Sequence, residues 1–215
     1  MITVLVADDH AMVRTGIVRM LEEAPDISVV GQVASGEEAI RQCRVLQPNV
    51  VLMDVRMPGI GGLEATRKLC QTSPKTRIVA VSAYDQEPMP SRLLKAGAAG
   101  YVSKEASEDE ILAAIRQVAK GRRYLSPMVA QTIALKTYDD EEGGSPFDCL
   151  SDREMQICLM IANCQKVHDI AEDLHITSKT VNSYRYRMFE KLNIDGDVEL
   201  THLAMRHGLI DAPGN

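Results

Sequence analysis

Three aspartates, a serine and a lysine stand far apart in this 215-residue chain, each at the end of a short apolar run. Asp8 and Asp9 follow Ile-Thr-Val-Leu-Val-Ala, Asp54 follows Val-Val-Leu-Met, Ser82 ends Ile-Val-Ala-Val-Ser, and Lys104 follows Gly-Tyr-Val-Ser. Unbroken runs of this kind read as strands buried on both faces of a parallel sheet. In an open parallel sheet, ligands gather outside the carboxyl ends of the strands, which is where all five side chains would meet. Adjacent carboxylates such as Asp8 and Asp9 suit Mg²⁺, a hard cation that takes oxygen ligands and keeps several waters. A third carboxylate, Asp54, completes a metal pocket and can attack phosphorus as a nucleophile, giving an aspartyl phosphate. Charge on a transferring phosphoryl group then needs a cation and a donor, which Lys104 and Ser82 supply.

The elements that must position these residues alternate regularly. Strand patterns over residues 2–7, 27–33, 50–54, 77–82 and 100–103 are separated by amphipathic stretches over 11–23, 35–46, 63–71, a short helix ending at 96, and 108–120. Alternation of this kind implies a five-stranded, doubly wound parallel α/β domain with crossover helices on both faces. Pro88 and Pro90 stand where the fourth helix starts and predict a short one. The run Gly59-Ile60-Gly61-Gly62 lacks the Gly-Lys-Ser/Thr ending of a phosphate loop and reads as a tight turn before a helix. His10, beside the acidic pair, reads as an exposed helix-start histidine, with metal ligation or general-base work as its functional alternative.

Beyond residue 121 the pattern changes. Ser126-Pro127 has the form of an N-cap followed by proline at the first helical position, opening a helix over 126–137. Residues 139–146 are acidic and glycine-containing without a large apolar side chain, so 122–146 reads as a linker. Residues 147–211 carry only helical periodicity and form a small all-α domain. The net charge of −6 argues against binding nucleic acid with the whole surface. No run is long enough to span a bilayer, no signal peptide is evident and the five cysteines are scattered, which together predict a cytoplasmic protein with reduced thiols and no membrane partner.

The ordered set of an Asp-Asp pair, an Asp shortly before Met-Pro-Gly, a Ser before Ala and a Lys resembles the receiver domain of response regulators, the CheY-like fold, over residues 1–121. The resemblance implies that Asp54 is phosphorylated by a sensor histidine kinase. Asp8, Asp9, Asp54 and the Arg56 main-chain carbonyl would hold Mg²⁺. Ser82 and Lys104 would sense the phosphoryl group, and Tyr101 would be the aromatic switch that turns inward. Arg56 and Tyr84 occupy positions that tune phosphoryl lifetime in such receivers.

In the helical part, Leu150-Ser151-Asp152-Arg153-Glu154 is a capping box, and a second helix over 167–174 is followed by the turn His175-Ile176-Thr177. Ser178 then reads as the cap of a third helix through Leu192. Two short helices joined by such a turn form a helix-turn-helix, whose second helix enters a major groove. Val181, Tyr184, Met188 and Leu192 share an inward stripe, leaving Lys179, Asn182, Ser183, Tyr186, Arg187 and Glu190 outward, with Arg185 at a flank. Residues 178–191 carry four cations against one acid, while 147–215 as a whole carry seven against eleven. The case for DNA therefore rests on one basic helix.

Leu-Ser-x-Arg-Glu, Ile-Ala-x-x-Leu and Ser-x-x-Val are similar to the LuxR/NarL-type output domain, which makes the chain resemble a NarL/FixJ-type response regulator. Gly-Ile-Gly-Gly-Leu-Glu-Ala-Thr-Arg-Lys and Thr-Val-Asn-Ser-Tyr-Arg-Tyr-Arg-Met-Phe point to the GacA/UvrY branch. The resemblance implies a transcription regulator, not a turnover enzyme, that forms a homodimer on phosphorylation and binds promoter DNA, with small regulatory RNA genes as targets. Asn182, Ser183 and Tyr186 would face bases, and Lys179, Thr180, Arg185 and Arg187 phosphates. His202, Leu203 and Met205 on the last helix would be dimer contacts. Two other functions fit parts of the pattern. An aspartate-nucleophile phosphatase requires a general-acid aspartate two residues beyond Asp54, where Arg56 stands. A protein-interaction module would bind protein through the helical tail. Cys158, Cys164 and His168 lack the spacing of a zinc site, and the cysteines read as buried thiols.

Overall fold

The computed structural model describes residues 1–82, 88–139 and 145–210. Tyr84, most of the loop expected over 83–90 and residues 140–144 of the acidic stretch lie outside them. The chain divides between Ala134 and Leu135 into two compact units.

In the first unit the strands are β1 (Ile2–Ala7), β2 (Ile27–Val33), β3 (Val50–Asp54), β4 (Arg77–Ser82), β5 (Gly100–Ser103) and β6 (Tyr124–Leu125). They form one sheet in the order β2-β1-β3-β4-β5-β6, every pairing parallel. The helices are α1 (Ala11–Glu22), α2 (Gly36–Leu46), α3 (Gly61–Thr72), α4 (Met89–Ala96) and α5 (Glu108–Ala119). Alternating side chains split each central strand between two cores. Val4, Val6, Leu52, Val79, Val81 and Val102 pack with Val18 and Leu21 of α1 and Ile115 and Val118 of α5. Leu5, Ala7, Val51, Met53 and Ile78 pack with Ala39 and Cys43 of α2 and Ala65 and Leu69 of α3. This two-faced burial is why the strands read as continuous apolar runs.

The sheet has six strands rather than the five expected. Tyr124 donates its amide to the Ala99 carbonyl at 3.1 Å and Ser126 donates to Tyr101 at 3.0 Å, so the chain beyond α5 adds a two-residue edge strand. Two half-buried residues leave no hydrophobic period to detect. Ser35 and Ser107 cap α2 and α5 through their hydroxyls. The last helix near this unit, α6 (Pro127–Asp139), starts at its proline as expected, but Ser126 does not cap it with its side chain. The buried Ser126 Oγ has no hydrogen-bond partner among the described residues, and its carbonyl receives the Ala130 amide at 2.9 Å.

The second unit opens with a 3₁₀ turn at Pro146–Cys149 and continues through α7 (Asp152–Ala162), α8 (Val167–Asp173), α9 (Ser178–Leu192) and α10 (Asp197–Arg206). Its core contains Phe147, Met155, Ile157, Ile161, Ile170, Val181, Met188, Leu200 and Ala204. Ser151 and Glu154 form the expected capping box. The cap of α9 is Thr177 rather than Ser178: the extended Thr177 accepts the Thr180 amide on Oγ1 at 3.1 Å, and Ser178 is already helical. Two adjacent hydroxyl residues compete for the same place, and the sequence does not say which is extended. Among the described residues no helix is long and apolar enough to cross a membrane.

Candidate functional site

Parallel register sets the strand-end cluster. Ala7 lies beside Met53, Asp54 beside Val81 and Ser82 beside Ser103, so Asp8, Asp54, Ser82 and Lys104 emerge at one edge of the sheet. Asp8, Asp54 and Ser82 are at most 2% exposed. Lys104 Nζ lies 2.7 Å from Asp54 Oδ2 and 3.1 Å from Asp8 Oδ2, bridging the two buried carboxylates. Their other oxygens take main-chain amides: Asp8 Oδ1 accepts from His10 at 2.7 Å and Asp54 Oδ1 from Arg56 at 3.1 Å. From α1, Arg14 Nη1 donates to the Asp8 carbonyl at 2.5 Å.

Three carboxylates share this edge with one ammonium, and the electrostatics show the imbalance. Burial pushes Asp54 up from its ordinary value to about 6; the hydrogen bond and charge of Lys104 oppose that shift, and the charge of Asp8 adds to it. For Lys104, burial works against the charge, but Asp54 and Asp8 outweigh it and raise its pKa. A site that crowds carboxylates at the cost of raising the pKa of one of them has the charge to hold a further cation. Asp8, Asp9, His10 and Asp54 each offer a ligand atom, all within 4.8 Å of one another. The oxygen-dominated set suits Mg²⁺. His10 stands at the start of α1, its side chain 62% exposed and its Nδ1 2.8 Å from Asp9 Oδ1. Cys158, Cys164 and His168 are not part of that group, and His168 pairs with Glu172 at 3.2 Å; Cys158 is a buried thiol as expected, but Cys164, in the turn after α7, is exposed.

The loop after Asp54 is fixed by contacts the sequence did not reveal. Glu37 Oε1, from the first turn of α2, accepts the Ile60 amide at 3.0 Å, and Gly59 turns beneath it with φ +75°. A Cβ at Gly62 would lie 2.0 Å from the Asp54 carbonyl oxygen, so α3 starts in direct contact with the main chain of Asp54. Glu37 beside Glu38 looks like an acidic helix start, and only Glu38 behaves as one, accepting the Ala34 amide at 3.1 Å. Gly59-Ile60-Gly61-Gly62 is a turn into α3, as its sequence suggests. Tyr101 is fully buried within β5. The helix after Pro88 is eight residues long and starts at Met89.

On α9, Val181 and Met188 are buried and Tyr184 and Leu192 half-buried, while Lys179, Ser183, Tyr186 and Arg187 are exposed and Thr180 and Asn182 partly so. Two of the four cations are taken by neighbouring helices. Lys191 Nζ lies 2.6 Å from the buried Glu154 of α7. Arg185 forks onto Asp197 of α10, with Nε 3.1 Å from Oδ1 and Nη2 2.5 Å from Oδ2, rather than projecting freely as a phosphate contact would. Lys179 and Arg187 have no ion pair among the described residues, and Arg187 lies over the Tyr184 ring at 5.7 Å. On α10, His202 is exposed and Leu203 and Met205 half-buried. Val198, 69% exposed, shares the stripe of His202 and Met205, an exposure that a valine in an amphipathic helix does not announce.

The sequence matches the family model of the response regulator receiver domain over residues 4–116 and that of bacterial regulatory proteins, luxR family, over residues 148–204. The response regulator GacA of Pseudomonas viridiflava is 57% identical over 212 residues, covering 99% of each chain. The response regulator UvrY of Escherichia coli is 53% identical over 212 residues, covering 99% of this chain and 97% of its own. Among solved structures, the Salmonella typhimurium RcsB response regulator shares the fold with a TM-score of 0.75 at 22% identity, over 96% of this chain and 98% of that one. The strand-end pocket and the helix-turn-helix thus sit in two matched domains, and the chain belongs to the two-component response regulators of the GacA and UvrY branch, a receiver followed by a LuxR-type DNA-binding domain that regulates transcription.

Proposed function

We propose that Asp54 is the acceptor of a phosphoryl group from a sensor histidine kinase, and that its phosphorylation switches dimerisation and promoter binding. The observation that carries this reading is Lys104, held at the strand ends by Asp54 and Asp8 at 2.7 and 3.1 Å. An Asp54 carboxylate oxygen attacks phosphorus, the bond to the donor imidazole nitrogen breaks, and that nitrogen keeps the electron pair. Asp8, Asp9, Asp54 and the Arg56 carbonyl are the residues to hold Mg²⁺, which when bound offsets charge on the phosphoryl oxygens. Lys104 then exchanges its carboxylate partner for a phosphoryl oxygen, Ser82 donates its hydroxyl to another, and Tyr101 occupies the space behind Ser82 on the neighbouring strand. No carboxylate stands two residues beyond Asp54, so the pocket lacks the acid that a turnover phosphatase needs.

In this reading residues 1–121 act as the receiver, with β6 extending its sheet, residues 122–146 as the linker and 147–211 as the output domain of a cytoplasmic protein. Lys179, Thr180 and Arg187 contact phosphates, while Asn182, Ser183 and Tyr186 face base edges. Val198, His202, Leu203 and Met205 form the dimer contact on α10. Kinship with the GacA and UvrY branch supports small regulatory RNA genes as targets. The test is incubation with a small phosphodonor and Mg²⁺, followed by mass, dimerisation and DNA affinity. Wild type gains one phosphoryl mass, dimerises and binds DNA more tightly; Asp54→Ala does none of these. An equal mass gain by Asp54→Ala shows that the acceptor lies elsewhere.

A further inference from the structure

Arg185 carries three hydrogen bonds to two residues. Nε and Nη2 hold the Asp197 carboxylate, and Nη1 donates to Asn182 Oδ1 at 2.7 Å. The guanidinium also lies over the Phe189 ring at 5.7 Å, and Phe189 meets Tyr186 edge-on with centroids 6.5 Å apart. The first turn of α10, through Asp197, is therefore tied to two residues of α9 that face outward.

From this network we infer that Asp197 and Arg185 are positioning residues that lock the Asn182 carboxamide with its amino group toward DNA, so that α9 reads a base edge rich in acceptors, guanine foremost. The inference rests on the reading of α9 as the recognition helix. Arginine has donors and no acceptor, so the amide atom facing Nη1 must be the oxygen, and the amide orientation is fixed by chemistry. The Nδ2 group keeps both hydrogens, and nothing among the described residues accepts from it.

A free asparagine pairs with adenine by giving a hydrogen to N7 and accepting one from the N6 amino group. That pairing needs Oδ1 turned to the base, and here Arg185 Nη1 takes one of its two lone pairs and holds the oxygen toward the guanidinium. Guanine presents N7 and O6, two acceptors side by side, and matches an asparagine whose oxygen is held back by Arg185 and whose amino group leads. The arrangement also removes Arg185 from the phosphate contacts. Its charge is balanced by a carboxylate at 2.5 Å, and a phosphate brought to it would meet the negative Asp197 as well.

The test is selection from a duplex library with a randomised core of ~20 base pairs, enough for two half-sites one helical turn apart. Full-length wild type, Asn182→Ala, Arg185→Lys and Asp197→Asn are compared after treatment with a phosphodonor and Mg²⁺. Thermal melts confirm that each variant is folded, and the salt dependence of binding to non-specific DNA is recorded. Wild type is expected to enrich guanine at one position per half-site. Asn182→Ala should lose that preference by about tenfold. Arg185→Lys and Asp197→Asn should relax it toward adenine at the same position, leaving the rest of the motif unchanged; the non-specific salt slope should steepen by about 0.9 in Asp197→Asn, which frees the Arg185 charge for phosphate. A merely structural role would lower affinity at all positions together and overturn the inference. So would adenine at the Asn182-dependent position of wild type, an unchanged motif in both variants, or a salt slope in Asp197→Asn no steeper than that of wild type, the mark of an Arg185 already on a phosphate. Absence of any enriched motif with wild type instead sinks the DNA-binding reading itself.

Discussion

Asp8, Asp54 and Ser82 come from three strands and are all but sealed from solvent, whereas Lys179, Asn182, Ser183, Tyr186 and Arg187 follow one another along α9 and face outward. In the pocket, charges are held by one another: Lys104 is the counterion of two carboxylates, and altering any one alters the others. On α9 the charges that face outward are those its neighbours have not claimed. Glu154 and Asp197 take Lys191 and Arg185, so the fold around α9 selects which of its cations remain available. A buried site is defined by what converges on it, and a surface site by what is withdrawn from it.

The largest expected effect tests convergence. Lys104→Met leaves two buried carboxylates without their ammonium and should cost about 3 kcal/mol of receiver stability at neutral pH. Urea unfolding measures it, and the loss should shrink as pH falls toward 6, because Asp54 without Lys104 to oppose burial takes up its proton above the wild-type value of about 6. A cost independent of pH would mean that the lysine acts through packing alone.

The converse substitution should stabilise. The folded value of Asp54, about 6, lies above its ordinary 3.8, so its ionised form weakens the fold. That penalty is absent below 3.8 and complete once pH has risen past 6. Asp54→Asn removes it and should add about 3 kcal/mol at pH 7.5 and almost nothing at pH 3.5, read from urea unfolding at the two pH values.

Next comes the withdrawn charge. Burial raises the Glu154 carboxyl, but Lys191 and the two Ser151 groups outweigh burial and leave its pKa below the ordinary 4.5. Its stabilisation is therefore full above 4.5 and disappears as pH falls through the lower folded value. Glu154→Gln should cost about 1 kcal/mol at pH 7 and flatten the acid limb of the unfolding of the helical domain. The same acid limb in the variant would show that the pair contributes nothing.

The smallest effect sharpens the surface count. Lys179→Ala and Arg187→Ala should each lower the slope of log affinity against log salt by about 0.9, while Lys191→Ala leaves it unchanged. Equal slopes for all three would restore the four-cation helix that the sequence suggests.

The pocket was legible because each of its members closes an apolar strand run, and parallel register then brings strand ends together without further information. Glu37 was not legible: beside Glu38 after Ser35 it has the form of any acidic helix start, and its partner Ile60 lies 23 residues away. The sixth strand escaped because two residues carry no period. On α9 the outward face could be read from periodicity, but Asp197 and Glu154 lie on other helices, and nothing in the run 178–191 announces that they will claim Arg185 and Lys191. Adjacent hydroxyls hid the true cap at Thr177 for the same reason: local pattern gives candidates, and the rest of the fold chooses between them.

Gly62 sets a mechanical limit on the receiver. Every other amino acid brings a Cβ, and at this position that atom would sit 2.0 Å from the carbonyl oxygen of Asp54, whereas at Gly16 on α1 it would meet nothing within 4 Å. There is no slack between the Asp54 backbone and the first turn of α3. The sequence at position 62 has no room to drift, while the glycine on α1 is free to change.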